Sequence, residues 1–316
     1  MKGADADRRV EYLKRILKRC VLCPQRCRVD RTAGERGFCR LAAGMVISSA
    51  LSHHGEEPPL SGRRGAGTIF FSSCNLKCVY CQNYQISHST AGDPVSVEEL
   101  AAIMLDLEAK GCHNVEPVTP TPHLPGIMEA LRIAREGGLR IPFVFNCGGY
   151  EGEKIIRLID GMVDIYLPDF KYGLDEAGRR FSGAADYPRH ALASLKEMVR
   201  QVGDTLEIEE GIARRGVLVR HLVLPGRTDN SLAVLKMIRE VSSAIPLSLM
   251  AQYTPIPAVR ADPLLGRRVT RREYEQVVND ALALGFEELY TQEVDDRALA
   301  PDFEREKPFA WEGKGK

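Results

Sequence analysis

The sequence predicts an α/β protein built as a partial (β/α)6 barrel, with a small cysteine-rich extension ahead of it. Three observations carry this reading. From Thr68 to Tyr253, six short apolar runs alternate with segments of helical period; such a rhythm implies right-handed β-α-β units and a parallel sheet. At 316 residues, 44% apolar and 27% charged, the chain can bury a sizeable core. Seven of its nine cysteines fall into two tight groups, one before the first of these strands and one at its end. The expected organisation is a helix and four-cysteine metal-binding extension over residues 1–60, the barrel over 61–294, and a tail lying on the surface over 295–316.

In chain order, Val10–Lys18 alternates apolar and basic residues at helical spacing. Cys20, Cys23, Cys27 and Cys39 follow, around the turn-rich stretch Arg31–Phe38. Met45–Ser49 is a strand, and His53-His54-Gly55-Glu56-Glu57-Pro58-Pro59 a loop closing one end of the barrel. The two histidines invite a metal reading, but neighbours on an extended chain face opposite ways and chelate poorly. Thr68–Phe71 is a buried strand. Val95–Ala109 is a helix with Ser96 as N-cap and Glu99 at the capping-box position. The later strands are Asn114–Val118, Ile141–Phe145, Val163–Leu167, Gly216–Leu224 and Pro246–Tyr253, with Phe286–Tyr290 as a final edge. Between them lie helices over Pro125–Glu136, Glu151–Ile159, a longer polar stretch to Val202, Asn230–Ser243, and Thr270–Leu284 with Thr270 and Glu273 as capping box.

The first strand ends in Ser72-Ser73, and Cys74, Cys78 and Cys81 follow at C-x3-C-x2-C spacing. Three thiolates so close cannot all pair as disulfides, and an intracellular chain keeps them reduced. They suit a soft metal centre. A cubane iron–sulfur cluster has four irons, normally held by four cysteines; three local ligands leave one iron open for chemistry. The competing reading, a structural zinc, lacks a ligand for its tetrahedron. The upstream quartet Cys20, Cys23, Cys27 and Cys39 is complete. It suits a structural zinc or a second iron–sulfur cluster acting as an electron relay; ordinary buried or surface cysteines are the remaining reading.

With Tyr80 just before its last cysteine, this loop resembles the signature of radical S-adenosylmethionine enzymes, and most closely the proteins like pyruvate formate-lyase activating enzyme, from about Cys20 to about Glu293. The resemblance implies a [4Fe–4S] cluster on Cys74, Cys78 and Cys81. It implies S-adenosylmethionine chelated by the open iron and cleaved reductively to a 5′-deoxyadenosyl radical, with Tyr80 against the adenine. It further implies an oxidoreductase that takes electrons from a reductant such as flavodoxin or ferredoxin. Its target is either a glycyl radical enzyme to be activated or a small molecule.

Active sites of such folds gather at the carboxyl ends of the strands. There the sequence places Asn146 with Gly148-Gly149, Asp169 with Lys171, and Arg220. The resemblance puts Asp169, Lys171 and Arg220 near S-adenosylmethionine, and puts Asn146 where relatives carry an acidic ligand to a monovalent cation. The glycines equally fit a plain β-to-α turn, and Asp169–Lys171 equally fits a mutual ion pair. Glu116, Thr119, Thr121 and His123 stand where relatives have a Gly-Gly-Glu strand end. Without those glycines, Thr119 and Thr121 become the expected contacts to the methionyl amine. His221, beside Arg220, reads as a core histidine, Cys112 and Cys147 as buried small hydrophobes, and Gln252 and Tyr253 as lining the substrate side.

Lys and Arg together number 43, as do Asp and Glu, so no global field draws nucleic acid or an anionic membrane. No apolar run is long enough to span a bilayer, and the charged start Met1–Arg15 lacks a secretory apolar core. The expected location is cytoplasmic. Outside enzymes, the cysteines fit a zinc-binding interaction module or an electron-transfer iron–sulfur protein.

Overall fold

The computed structural model describes residues 3–294, 300–305 and 307–309. Helix α1 (Gly3–Ile16) starts before the predicted span and tightens into a 3-10 turn ahead of Cys20. Strand β1 (Met45–His53) runs past its predicted end at Ser49, which makes His53 a strand residue rather than a loop residue. A single turn, α2 (Pro58–Ser61), precedes β2 (Ala66–Phe71); the short α3 (Tyr84–Ser87) and β3 (Asp93–Val95) follow it.

The alternation then settles. It runs α4 (Val97–Ala109), β4 (Val115–Val118), α5 (Leu124–Glu136), β5 (Val144–Cys147), α6 (Glu153–Leu158), β6 (Ile165–Pro168), α7 (Asp175–Ser182) and α8 (Tyr187–Val202). A hairpin of β7 (Leu206–Glu209) and β8 (Ile212–Val217) comes next. Last are β9 (Val219–Leu222), α9 (Thr228–Val241), β10 (Leu247–Met250), α10 (Arg271–Ala283) and β11 (Leu289–Thr291). Both predicted capping boxes are present: Glu99 N–H donates to Ser96 Oγ at 3.1 Å, and Glu273 N–H to Thr270 Oγ1 at 3.2 Å.

Two departures have local causes. The hairpin is one element that hydrophobic period does not predict. Its turn residues Glu210 and Gly211 sit at φ 51° and 80°, a sign pattern that matches the twist of the flanking strands. The predicted strand Gly216–Leu224 is two strands, because the backbone changes partner at Leu218. Leu218 N–H donates to Tyr166 O, whereas Val219 N–H donates to Pro246 O.

The strands form an eight-stranded sheet ordered β3-β1-β2-β4-β5-β6-β8-β7 and a three-stranded sheet ordered β11-β10-β9. The run β2-β4-β5-β6-β8 is parallel, as is β9-β10-β11, while β1, β3 and β7 pair antiparallel. A bridge between Asp169 and Arg220 links the carboxyl end of β6 to β9. Side chains alternate across a strand. One face carries Ile69, Phe71, Val115, Phe145, Tyr166 and Val219 into the core shared with the helices. The other, inner face begins with a small apolar floor of Leu60, Val144, Ile165, Leu167, Ala213 and Leu218. By the same alternation Phe70, Glu116, Asn146, Arg220 and Ser248 share that inner face.

Candidate functional site

The loop leaving the carboxyl end of β2 is held tightly. Ser72 Oγ donates to Ala91 O at 2.6 Å, Ser73 N–H to Ile86 O at 2.8 Å, and Val79 N–H to Phe181 O at 2.9 Å. Ser73 and Lys77 lie in the left-handed region at φ 70° and 51°. Non-glycine residues are strained there by about 1–3 kcal/mol and persist where surrounding structure holds them. They bend the chain so that Cys74, Cys78 and Cys81 become electrostatic neighbours, all free of disulfides. Cys74 Sγ accepts the Leu76 N–H at 3.3 Å and Cys81 Sγ the Ser87 hydroxyl at 3.2 Å. Burial, with the other two sulfurs adding to it, pushes the Cys74 thiol up to about 12. Thiols this buried ionise only when a cation takes the proton's place. Three soft donors, two of them with an N–H or O–H group already aimed at the sulfur, fit a metal–sulfur centre.

Beside them stand the predicted strand-end groups. Lys171 donates to Asp169 Oδ2. Burial opposes the ammonium, but Asp169 and the Cys78 and Cys81 sulfurs outweigh it and hold its pKa above the ordinary lysine value. The pair is therefore a mutual ion pair that also faces the cysteine loop. Thr119 closes β4 at φ 59°, an outlier for a β-branched residue, and its N–H donates to Asn146 O at 3.0 Å. Tyr80 is buried among Tyr172, Phe181 and Tyr253, with ring centroids 6.1 to 6.4 Å away, edge to face. Tyr253 is fully buried, and its hydroxyl donates to Leu265 O, so it supports Tyr80 rather than lining an open substrate face. His221 sits between Phe170 O at 2.7 Å and Ser231 Oγ at 2.8 Å, neutral because burial takes its pKa down to about 4.

Other predicted residues are engaged elsewhere. Thr121 Oγ1 donates at 2.6 Å to Glu151, a carboxyl that burial lifts to about 7. Asn146 Nδ2 donates at 2.7 Å to Glu116 Oε1. Arg220, expected beside a cofactor, is held on the inner face by Glu56 and Glu57, with Nε donating to Glu57 Oε1 at 2.8 Å. The loop holding those glutamates reads from the sequence as a cover whose histidines chelate poorly; the glutamates beside them are what binds it to β9. Glu116 adds a third carboxyl nearby. Burial first, and Glu56 next, raise its pKa well above the carboxylate range.

Three further groups shape the surroundings of the site. The Tyr187 hydroxyl donates to the carbonyls of Gly148 and Asp169 and accepts the Lys171 N–H, tying three strand-end segments together. Gly149 sits at φ 78°, where an added Cβ would lie 2.1 Å from Asp169 O. Replacing Gly149 with alanine should therefore destabilise the chain by about 2 kcal/mol or more, read as an earlier urea midpoint; an unchanged midpoint would show that the loop has slack. Finally, two aromatic side chains of the described part of the tail turn inward, while Glu304, Arg305 and Lys307 stay exposed. Phe303 and Phe309 each pack 5.2 Å from Phe70 on the inner face, Phe309 lies 4.1 Å from His53, and Gln85 Nε2 donates to Asp302 at 2.9 Å. The rest of the predicted tail falls outside the described residues.

The quartet Cys20, Cys23, Cys27 and Cys39 lines a single cavity, together with Arg31, Asn75 and Thr121. Among the described residues, no three Cys, His, Asp or Glu side chains converge on a point that would hold one ion, and no helix is long and apolar enough to cross a membrane.

A family model described as the radical SAM superfamily matches residues 68–238. An uncharacterized protein of Methanocaldococcus jannaschii is 32% identical over 294 residues, covering 90% of this chain and 80% of its own. A second uncharacterized protein of the same organism is 23% identical over 229 residues, covering 67% of this chain and 62% of its own.

Proposed function

The chain belongs to the radical SAM superfamily, and from that premise we propose an oxidoreductase whose Cys74, Cys78 and Cys81 hold a [4Fe–4S] cluster with one iron left for S-adenosylmethionine. When bound, that cluster supplies the electron that splits a carbon–sulfur bond of S-adenosylmethionine and so generates a 5′-deoxyadenosyl radical. The observation that carries the reading is the strained, buried three-thiol loop at the carboxyl end of β2. In this reading the two parallel runs form the partial barrel, and the chain's own groups bind, orient and exclude water. Thr119 supplies backbone and hydroxyl oxygens to the methionyl amine. Asp169 and Lys171 address the ribose and carboxylate. Tyr80, fixed by its aromatic neighbours, forms the adenine wall.

The substrate would give up a hydrogen from an unactivated carbon, and would be either a glycine of a partner enzyme or a small molecule. Two contacts favour the small molecule. Phe303 and Phe309 occupy inner-face space beside Phe70, and the four-cysteine extension rests on the cysteine loop through Gln25 Nε2, which donates to Asn75 O at 3.0 Å. A protein loop would have to displace both.

The test is anaerobic: reconstitute with iron and sulfide, reduce with dithionite, add S-adenosylmethionine and measure 5′-deoxyadenosine. A colourless zinc protein, or a brown one that makes no product, would refute the reading. Replacing Lys171 with methionine should weaken S-adenosylmethionine binding by about tenfold, the equivalent of roughly 1.4 kcal/mol, measured by calorimetry on the reconstituted protein. Unchanged affinity would return Asp169–Lys171 to a purely structural ion pair.

A further inference from the structure

We propose that Cys20, Cys23, Cys27 and Cys39 hold a second iron–sulfur centre that takes electrons from outside and hands them to the centre on the Cys74–Cys81 loop. This rests on the function proposed above and adds its electron supply.

The first support is the built cavity. All four thiols line it and none is in a disulfide. Arg26 and Arg28, on either side of Cys27, have φ 43° and 59°, and Arg40, after Cys39, has φ 58°. Left-handed residues turn successive N–H groups into concavities that receive anions, iron–sulfur sites among them. Accordingly the Phe38 N–H donates to Cys27 Sγ at 3.2 Å. Gly37 leaves room for that sulfur, since a Cβ there would stand 2.7 Å from it.

The second support is charge. Arg31 lines the same cavity and is 2% exposed. Its Nε and Nη2 donate only to Ala42 O, at 3.0 and 2.6 Å, and among the described residues no carboxylate pairs with it. A buried guanidinium without a counter-charge is costly. A metal centre bound by four thiolates carries net negative charge and would supply that counter-charge.

The third support is position, which favours a redox centre over a zinc. Asn75 and Thr121, from the loops after β2 and β4, complete the cavity wall. Ser73 Oγ donates to Cys39 O, and the Lys77 ammonium lies within electrostatic reach of both Cys39 and Cys74. In a cubane each thiolate binds its own iron, so the sulfurs need not converge on one point. They do not. Outside, Val21, Phe38 and Val79 are 38%, 38% and 40% exposed, with Lys77 over the Phe38 ring at 5.4 Å and Arg26, Arg28, Arg36 and Arg40 exposed on the same extension. An apolar surface with a basic surround fits an acidic one-electron carrier protein such as reduced flavodoxin or ferredoxin. The carrier loses one electron, the upstream centre gains it, and that centre is reoxidised as the loop centre is reduced. No bond or proton moves in this transfer.

The test begins with the full-length Cys74→Ala/Cys78→Ala/Cys81→Ala variant, reconstituted with iron and sulfide. The expected result is bound iron and sulfide and a paramagnetic resonance signal on reduction. Zinc alone, or no metal, overturns the proposal. Should that variant not fold, the Cys27→Ser/Cys39→Ser variant must hold about half the iron of the parent, and equal iron overturns the proposal. For the relay, the same double variant is compared with the parent by the ratio of flavodoxin-driven to dithionite-driven 5′-deoxyadenosine. That ratio should fall at least about tenfold, and an unchanged ratio overturns the relay. Replacing Arg31 with methionine keeps every ligand and should shift the upstream centre's reduction potential downward in a resonance-monitored titration; an unmoved potential counts against it. A parent protein that makes no 5′-deoxyadenosine even with dithionite would instead sink the function proposed above, whatever the triple variant binds.

Discussion

Replacing Cys78 with alanine is expected to lower dithionite-driven 5′-deoxyadenosine formation by about a thousandfold or more, to the assay background. Cys78 is the most buried of the three loop cysteines, 5% exposed. Its backbone carbonyl, not its sulfur, accepts the Cys81 N–H at 3.1 Å and faces His88 Nε2 at 3.1 Å. Alanine therefore keeps the loop's internal bonds and removes only the sulfur. Two thiolates cannot anchor a cubane that already has an iron without a protein ligand, so iron content should fall together with the product. Cys112→Ala, a change in the helix-side core, serves as the control and should leave product formation as it was. Product retained by the Cys78 variant would mean that another group holds the iron.

Replacing Arg220 with methionine is expected to destabilise the chain by about 3–5 kcal/mol, because it strands two buried carboxylates. For a chain of this size that lowers the melting temperature by roughly 5–8 °C. Burial alone would raise Glu57, yet Arg220 holds it below the usual carboxylate range. Its stabilisation is therefore complete above the unfolded glutamate value of about 4.3 and drains away as the pH falls through the lower folded value. The parent should lose stability over that acid window more steeply than the Glu57→Gln variant. Adding Glu56→Gln and Glu57→Gln to the Arg220 variant should restore most of the melting temperature, since no stranded charge remains. A variant that kept its melting temperature but lost S-adenosylmethionine affinity would instead support the cofactor role that the resemblance implies for Arg220.

Much of this protein is legible locally. The C-x3-C-x2-C loop points to a metal–sulfur centre because adjacent thiols have few other uses, and it sits at the strand end where the apolar run Thr68–Phe71 places it. The capping boxes at Ser96 and Thr270 appear as read, since a cap and its partner lie within one helical turn. The split at Leu218 and the hairpin at Glu210-Gly211 were missed because partner choice decides where a strand ends, and periodicity does not report partners.

What the chain alone determined, then, is the type and order of its elements and the presence of two cysteine groups, all of it encoded within a few residues at a time. What only the tertiary structure decided is which distant groups meet: Arg220 with Glu56 and Glu57, Thr121 with Glu151, Phe303 with Phe70, and the upstream cysteines with Asn75. Buried charges and hydroxyls must each find a partner. Which partner is available depends on the inner-face register and loop packing of strands far apart in the chain, and that is set only when the sheets assemble.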